Sequence, residues 1–196
     1  MKNFITIGIA VASVVSVHSQ EVKFGKFTSG ELAKEESQIT TSAPAEVLYS
    51  KAKYTIDWNK MTGELEKKTI VHYRVKVFDK DKSPTNFLTV EIPLYKGDGS
   101  SRDKLLNLKA STFNSEGNGL KEHKVNKNDI FQKDVHNYLS VQTFTFPNVK
   151  NGSILEFTYE IISPFYYNVG TWYFQENIPV VKSDLILETH EYLNYQ

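Results

Sequence analysis

Residues 67–79, KKTIVHYRVKVFD, alternate apolar and polar side chains strictly from Val71 to Val77. Because successive side chains of a β-strand point to opposite faces of its sheet, one face would be apolar and the other polar. The apolar face comprises Thr69, Val71, Tyr73, Val75 and Val77, and the polar face comprises His72, Arg74 and Lys76. The pattern predicts an antiparallel strand with one face against a core and the other in water.

A period of two also marks eight further runs between residue 47 and the end of the chain. They are VLYSKAKYTIDW (47–58), FLTVEIPLY (87–95), LLNLKASTF (105–113), LKEHKV (120–125), YLSVQTFTF (138–146), SILEFTYEII (153–162), TWYFQENI (171–178) and DLILETHEYL (184–193). Pro93 removes one ladder hydrogen bond, which indicates a sheet edge or a bulge. The glycines of EGNG (116–119) and the pair Asn151 and Gly152 suit turns. The runs predict an all-β fold, an antiparallel β-sandwich of about nine strands.

One short helix is predicted, ahead of the strands. Thr28 and Ser29 are candidate N-caps, and Glu31 puts a negative charge in the first turn, where the helix dipole favours it. TTSAPAE (40–46) has the composition of a linker. We therefore predict an N-terminal extension at 20–46, with the helix and the linker, and a β-sandwich domain at 47–196. Since the alternating pattern still runs in EYLNYQ (191–196), this domain is predicted to be truncated at its C-terminal end.

The first residues have the pattern of a secretory signal peptide at 1–19. Lys2 gives a positive start, FITIGIAVASVVSV (4–17) is an apolar run, and cleavage after Ser19 would leave Gln20 as the new N-terminus. A helix needs roughly 20 apolar residues to cross a bilayer, so a retained anchor is the less favoured alternative. The prediction is an exported protein, periplasmic or extracellular, with no stable membrane insertion after cleavage.

The composition excludes several classes of function. The chain has no cysteine, so a lipoprotein anchor, a cysteine nucleophile and a thiolate metal site are excluded. Lys and Arg together number 23 and Asp and Glu together also number 23, which gives no excess positive charge for binding nucleic acid. The chain has no Gly-x-Ser-x-Gly elbow that would present a nucleophilic serine.

Neither a metal site nor a carboxylate pair is supported by spacing. The histidines do not stand at metal-binding intervals, and Asp98 and Asp103 lack the further oxygen ligands of a calcium loop. Glu91, Glu156 and Glu160 would suit a glycosidase only if two of them faced each other, and acidic groups on the outer face of a strand are common. We predict no catalytic residue, no metal, no cofactor and no enzymatic activity.

Aromatic side chains are densest in SPFYYNVGTWYFQENIPV (163–180). Alternation puts Trp172, Phe174 and Ile178 on one strand face, where they are predicted to belong to the core. Tyr166, Tyr167 and Tyr173 stay undecided between core and surface, because a tyrosine hydroxyl suits a wet edge. These three tyrosines are the candidate binding residues, and stacking on sugars would be their use in a carbohydrate-binding module.

Several stretches together resemble a bacterial domain of unknown function that precedes transglutaminase-like domains in exported proteins of the Bacteroidetes type. They are KFGK (23–26), EIPLYKG (91–97), FPNVKNGSILEFTYEI (146–161), SPFYYN (163–168), WYFQENIPV (172–180) and HEYLNY (190–195). The resemblance implies a sandwich-like module followed by a papain-like Cys-His-Asp domain. Without a cysteine, that catalytic activity has no residue here onto which it could be carried. The expected role is therefore an accessory or interaction module whose partner is a protein or its own missing catalytic domain. The alternative is a stand-alone module that binds a carbohydrate or a surface.

Overall fold

The structure, a computed structural model, describes residues 22–117 and 119–193. The predicted signal peptide, with Ser19 and Gln20, lies outside the described residues. The strands are β1 (Ala45–Trp58), β2 (Leu65–Val77), β3 (Thr89–Tyr95), β4 (Lys104–Glu116), β5 (Gly119–Lys124), β6 (Ile130–His136), β7 (Leu139–Thr145), β8 (Ile154–Ser163) and β9 (Ser183–Thr189). The helices are α1 (Ser29–Ala33) and α2 (Thr85–Leu88), with a 3-10 turn at Lys127–Asp129.

The strands form two sheets, as expected for a sandwich-like all-β fold. The large sheet has the order β5-β4-β8-β2-β1-β9, and the small sheet has the order β3-β7-β6. All pairs are antiparallel except β1 and β9, which run parallel after the long connection at 164–182. Pro93 lies in β3, which is an edge strand, so that prediction is confirmed.

One predicted strand is wrong and one real strand was missed. Residues 171–178 form no strand, whereas β6 pairs with β7 and has no buried side chain. Strand β6 therefore has no alternation of buried and exposed groups to reveal it.

A β-bulge interrupts β1, where the pairing register with β2 shifts between Val47 and Tyr49. Leu48 is the extra residue of this β-bulge, so the single alternating face predicted for β1 is broken there.

The main core lies between the two sheets. Its best-buried members are Ala45, Val47, Val77, Ile92, Phe144 and Leu155, each at most 1% exposed. Phe144 of β7 contacts Phe146 and Phe157, with ring centroids 5.5 and 6.0 Å apart. The apolar face predicted for β2 is confirmed, since Val71, Val75 and Val77 are all buried.

The predicted polar face of β2 is not in water, which corrects the sequence-based expectation. Arg74 and Lys76 are 1% and 2% exposed because residues 22–44 lie across the outer face of the large sheet. Glu156, expected on a solvated face, is 0% exposed beside Arg74. Residues 22–44 thus form a packed layer on the sheet, while Ala45 and Glu46, predicted as part of the linker, belong to β1.

Helix α1 begins as the sequence predicts. Thr28 is the N-cap, its hydroxyl accepts from the backbone N–H of Glu31, and the Glu31 carboxylate accepts from the backbone N–H of Thr28 at 2.7 Å. This reciprocal capping box satisfies two backbone donors that the first turn leaves open. A five-residue helix is marginal alone, so its cap and the hydrogen bonds it accepts from Arg74 and Lys76 of β2 hold it in place.

Candidate functional site

The aromatic-rich segment 163–180 is mostly a loop that crosses the inner face of the large sheet. Trp172 is half-buried and its Nε1–H donates to Ser183 Oγ at 3.0 Å, while Lys67 Nζ donates to the carbonyl of Asn168. Phe174 is 49% exposed, so its assignment to the core is wrong, whereas the buried position of Ile178 is confirmed. A few side-chain hydrogen bonds and packed side chains hold this loop on the sheet, and most of it does not form the backbone hydrogen bonds of a strand.

The three predicted binding tyrosines differ in their surroundings. Tyr166 is half-buried, whereas Tyr167 and Tyr173 are 71% and 66% exposed. The rings of Tyr166 and Tyr167 meet edge to face, with centroids 5.8 Å apart and planes at 76°. Tyr173 contacts no other aromatic ring within the described part of the chain. The Tyr166–Tyr167 pair therefore does not offer two coplanar faces to one flat ligand.

A row of parallel aromatic rings stands on the inner face of the large sheet. Tyr73 of β2 stacks on Phe157 of β8 with centroids 5.3 Å apart and planes 2° apart, and Phe157 is near-parallel to Tyr159. Trp172 covers one end of the row, 5.6 Å from the Tyr73 ring. Sequence alternation placed Tyr73 on the apolar face but gave no sign that it stays partly exposed.

A cleft opens above this row, between the two sheets. Its volume is about 500 Å³, and its walls come from Tyr73, Phe157, residues 85–87 and 89–91, and Glu176 of the loop. Edge strand β3 and helix α2 form one side, and strands β2 and β8 form the floor. This is the size and mixed lining that small-molecule sites commonly have.

Glu176 is the charged group best placed in this cleft. Its Oε1 accepts a hydrogen bond from the hydroxyl of Tyr73 at 3.3 Å. Burial raises the pKa of Glu176 above its ordinary value, although the Tyr73 hydroxyl partly opposes this. Burial, together with the charge of Glu176, also raises the pKa of Tyr73. The pair thus forms a partly desolvated acidic group beside aromatic walls, and no local sequence pattern marks it.

A second cluster of charges lies on the opposite face of the sheet, under residues 22–44. Glu156 Oε1 accepts from Arg74 Nη2 at 2.7 Å and lies 2.7 Å from His72 Nε2. Its other oxygen accepts from the backbone N–H of Gly25 at 2.8 Å. Glu156 is fully buried under this segment, so the cluster ties the N-terminal layer to the sheet and is not accessible to a substrate.

Arg74 links this cluster to helix α1. Its Nη1 donates to Glu31 Oε1 at 2.7 Å, its Nη2 donates to the carbonyl of Lys23 at 3.0 Å, and its guanidinium lies 4.5 Å from the Phe27 ring centre. Burial alone would raise the pKa of Glu31, but the Thr28 backbone N–H and the Arg74 guanidinium hold that pKa below its ordinary value.

The lowered pKa of Glu31 predicts acid-sensitive stability. A carboxyl whose pKa is depressed by folding stabilises the native state above its unfolded pKa, and this contribution is lost as the pH falls through the folded value. We expect the urea midpoint of wild-type protein to decline more steeply below about pH 4.5 than that of Glu31→Gln. Glu35→Gln, a change at an exposed neighbour, should keep the wild-type slope. Equal acid slopes for wild type and Glu31→Gln would contradict the prediction.

The other chemistries considered from sequence remain without support in the described residues. No group of three or more His, Asp or Glu side chains that could hold a metal occurs in residues 22–117 and 119–193. Glu160 pairs with Lys68 at 3.0 Å, and Asp103 accepts from the backbone N–H of Tyr95 at 2.9 Å. Among the helices of the described part of the chain, none has the length and apolar character to span a bilayer.

Comparison with known proteins finds similarity to solved structures but not to a family model or a curated protein. A crystal structure of a "putative protease" from Parabacteroides distasonis superposes with a TM-score of 0.57 at 16% identity, over 76% of this chain and 29% of that one. The likeness shows a shared fold. The chain spans less than a third of the length of that protein.

Proposed function

We propose that this chain is a non-catalytic accessory module of a longer exported protein, which packs against a transglutaminase-like catalytic domain or presents substrate to it. The observation that carries the proposal is the outermost strand of the large sheet, β9. This strand contains three consecutive apolar residues, Leu185, Ile186 and Leu187, which are 40%, 36% and 45% exposed. Three consecutive apolar side chains exposed on a sheet edge are unusual for a surface that meets only water.

The geometry of β9 suits docking by a further protein surface. β9 pairs with β1 on one side and ends the sheet on the other, so its outer edge offers backbone hydrogen-bonding groups. Leu185 and Leu187 lie opposite Ala52 and Tyr54 of β1 and extend the inner apolar face of the sheet. An added strand or an apolar surface would bury both features at once.

Two further observations support an accessory role. The solved neighbour matches this fold over only 29% of its own length, so in that protein the fold is one part of a larger chain. The sequence resemblance also implies a module that precedes a Cys-His-Asp domain, and this chain has no cysteine to serve as its nucleophile.

The first test has two parts. The gene is followed beyond codon 196, and an encoded Cys-His-Asp domain is expected in the same frame or the adjacent gene. Purified protein is also incubated with peptide and glycan substrates beside a heat-denatured control, and no turnover above the control is expected. Hydrolysis or cross-linking by the native protein would overturn the non-catalytic assignment, and the absence of such a domain would overturn the proposed partner.

A substitution on β9 tests the docking surface. We expect Leu187→Lys to weaken binding to the separately expressed catalytic domain by about tenfold or more, since a charge would then be buried in an apolar contact. Stability should change by only about 0.5 kcal/mol, because the side chain is exposed. Calorimetric titration measures the affinity, and Ile39→Lys, at a 60% exposed apolar site in the N-terminal segment, is the matched control. Unchanged affinity in Leu187→Lys would place the contact elsewhere.

Carbohydrate binding is the alternative function, and the exposed rings of Tyr167 and Tyr173 are its basis. Sugar stacking favours coplanar rings, and the perpendicular arrangement of Tyr166 and Tyr167 does not favour it. Retention on a glycan affinity gel that is lost in Tyr167→Ala would support this alternative over the accessory role.

A further inference from the structure

We propose that the cleft between the two sheets binds an alkylammonium group, of a free amine or of a lysine side chain, with Glu176 as its counter-ion. This ligand site is separate from the β9 docking surface and does not depend on the accessory role. It rests on the charge, the burial and the shape of the cleft.

The charge that lines the cleft is negative, because Glu176 faces it and no Lys, Arg or His of the described residues lines it. Glu91 lies at its rim, but it alternates with the buried Val90 and Ile92 and therefore projects to the outer face of β3. The chain as a whole has as many basic as acidic residues, so this local excess of negative charge does not follow from composition. Walls of low polarity strengthen the attraction of such a cleft for a cation.

In the described part of the chain Glu176 has no basic partner, unlike several other carboxylates. Within residues 22–117 and 119–193, ion pairs are formed by Glu31, Glu46, Glu156 and Glu160 but not by Glu176. Its hydrogen-bond partner is the neutral hydroxyl of Tyr73 at 3.3 Å. Partial burial raises its pKa, because removal from water penalises the ionised form. A bound cation would supply the missing charge-assisted hydrogen bond.

The remaining walls suit the hydrocarbon part of such a ligand. Phe157, Phe87 and Val90 offer apolar surface near the acidic group, against which a chain of methylene groups can pack. Asn86 and Thr85 lie on the α2 side and offer polar atoms for an amide next to the alkyl chain. The volume of about 500 Å³ exceeds the needs of one alkyl chain and leaves room for a short peptide.

The experiment is a titration of the full chain, followed by calorimetry and by chemical shifts of the cleft residues. The probes are butylamine, Nα-acetyl-lysine methylamide and the neutral isostere Nα-acetyl-norleucine methylamide, at neutral pH. We expect both amines to bind, the norleucine compound not to bind, and Glu176→Gln to weaken binding by about tenfold or more, since a hydrogen bond to a charged group is lost. Tighter binding of the lysine compound than of butylamine would identify a peptide side chain as the source, and the reverse would identify a free amine.

The control is Glu36→Gln, which removes an exposed carboxylate from the N-terminal segment on the other face of the sheet. It should bind the amines as wild type does. Tyr73→Phe keeps the stacked ring but removes the hydroxyl beside Glu176, and it is expected to fold and to alter the affinity by less than Glu176→Gln does. Binding of the norleucine compound as tightly as the lysine compound, equal affinity in Glu176→Gln and wild type, or no binding of either amine at millimolar concentration would each overturn the proposal.

Discussion

Arg74→Met is expected to lower the free energy of unfolding by about 3–5 kcal/mol. The substitution leaves Glu156 fully buried without its guanidinium partner, which donates to Oε1 from both Nε and Nη2. The hydrogen bonds from Arg74 to Glu31 and to the carbonyl of Lys23 are lost as well. Urea unfolding followed by tryptophan fluorescence measures the change.

A double substitution separates the buried charge from the lost packing. Replacing Arg74 by methionine and Glu156 by leucine together removes both charges, and should restore most of the lost stability, because a buried ion pair and an apolar pair of similar volume are often equivalent. The control for the single change is Lys53→Met, which breaks the exposed Lys53–Glu188 pair and should cost less than about 1 kcal/mol. A cost of Arg74→Met no greater than that of Lys53→Met would show that the cluster contributes little.

Phe144→Ala is expected to destabilise the fold by about 3–5 kcal/mol. Phe144 is 1% exposed at the centre of the contact between the sheets and meets Phe146 and Phe157 edge to face or nearly so. Truncation removes this buried area and leaves a cavity that rigid strands on both sides cannot close.

The matched control uses the same chemical change on the neighbouring strand. Phe131 of β6 is 68% exposed, so Phe131→Ala should change the urea midpoint little. The difference in urea midpoint between the two variants then reports the effect of burial between the sheets, because both variants lose one phenylalanine. Similar midpoints for the two variants would contradict the assignment of this contact as the main core.

Much of the fold was predictable because the signals are local. The apolar and polar alternation in the sequences of β2 and β8, the glycines of the β4–β5 turn and the N-cap candidate Thr28 each depend on residues close in sequence. The missed strand β6 has no buried face, and the wrongly predicted strand at 171–178 has alternation without a ladder partner. An alternating sequence predicts that the two faces of a strand would differ in polarity. Whether the segment forms a strand depends on hydrogen bonding to a neighbouring strand.

The candidate site was less predictable. Tyr166, Tyr167 and Tyr173 were named for their residue type, and their roles stay a prediction. The cleft depends on Tyr73 and Glu176, which are 103 residues apart in sequence and meet only when the loop crosses the sheet. No local pattern marks such a pair.

The sequence by itself determined an all-β sandwich, its main strands and the absence of a cysteine nucleophile, because hydrophobic period and composition are properties of the chain alone. Only the tertiary structure decided that the polar face of β2 is buried. Arg74 meets Glu31 and Glu156 from 43 and 82 residues away, and that contact makes burial of its charge tolerable. Alternation in the sequence indicates that the two faces of a strand differ in polarity. Which segment covers each face depends on contacts between residues that are far apart in the chain.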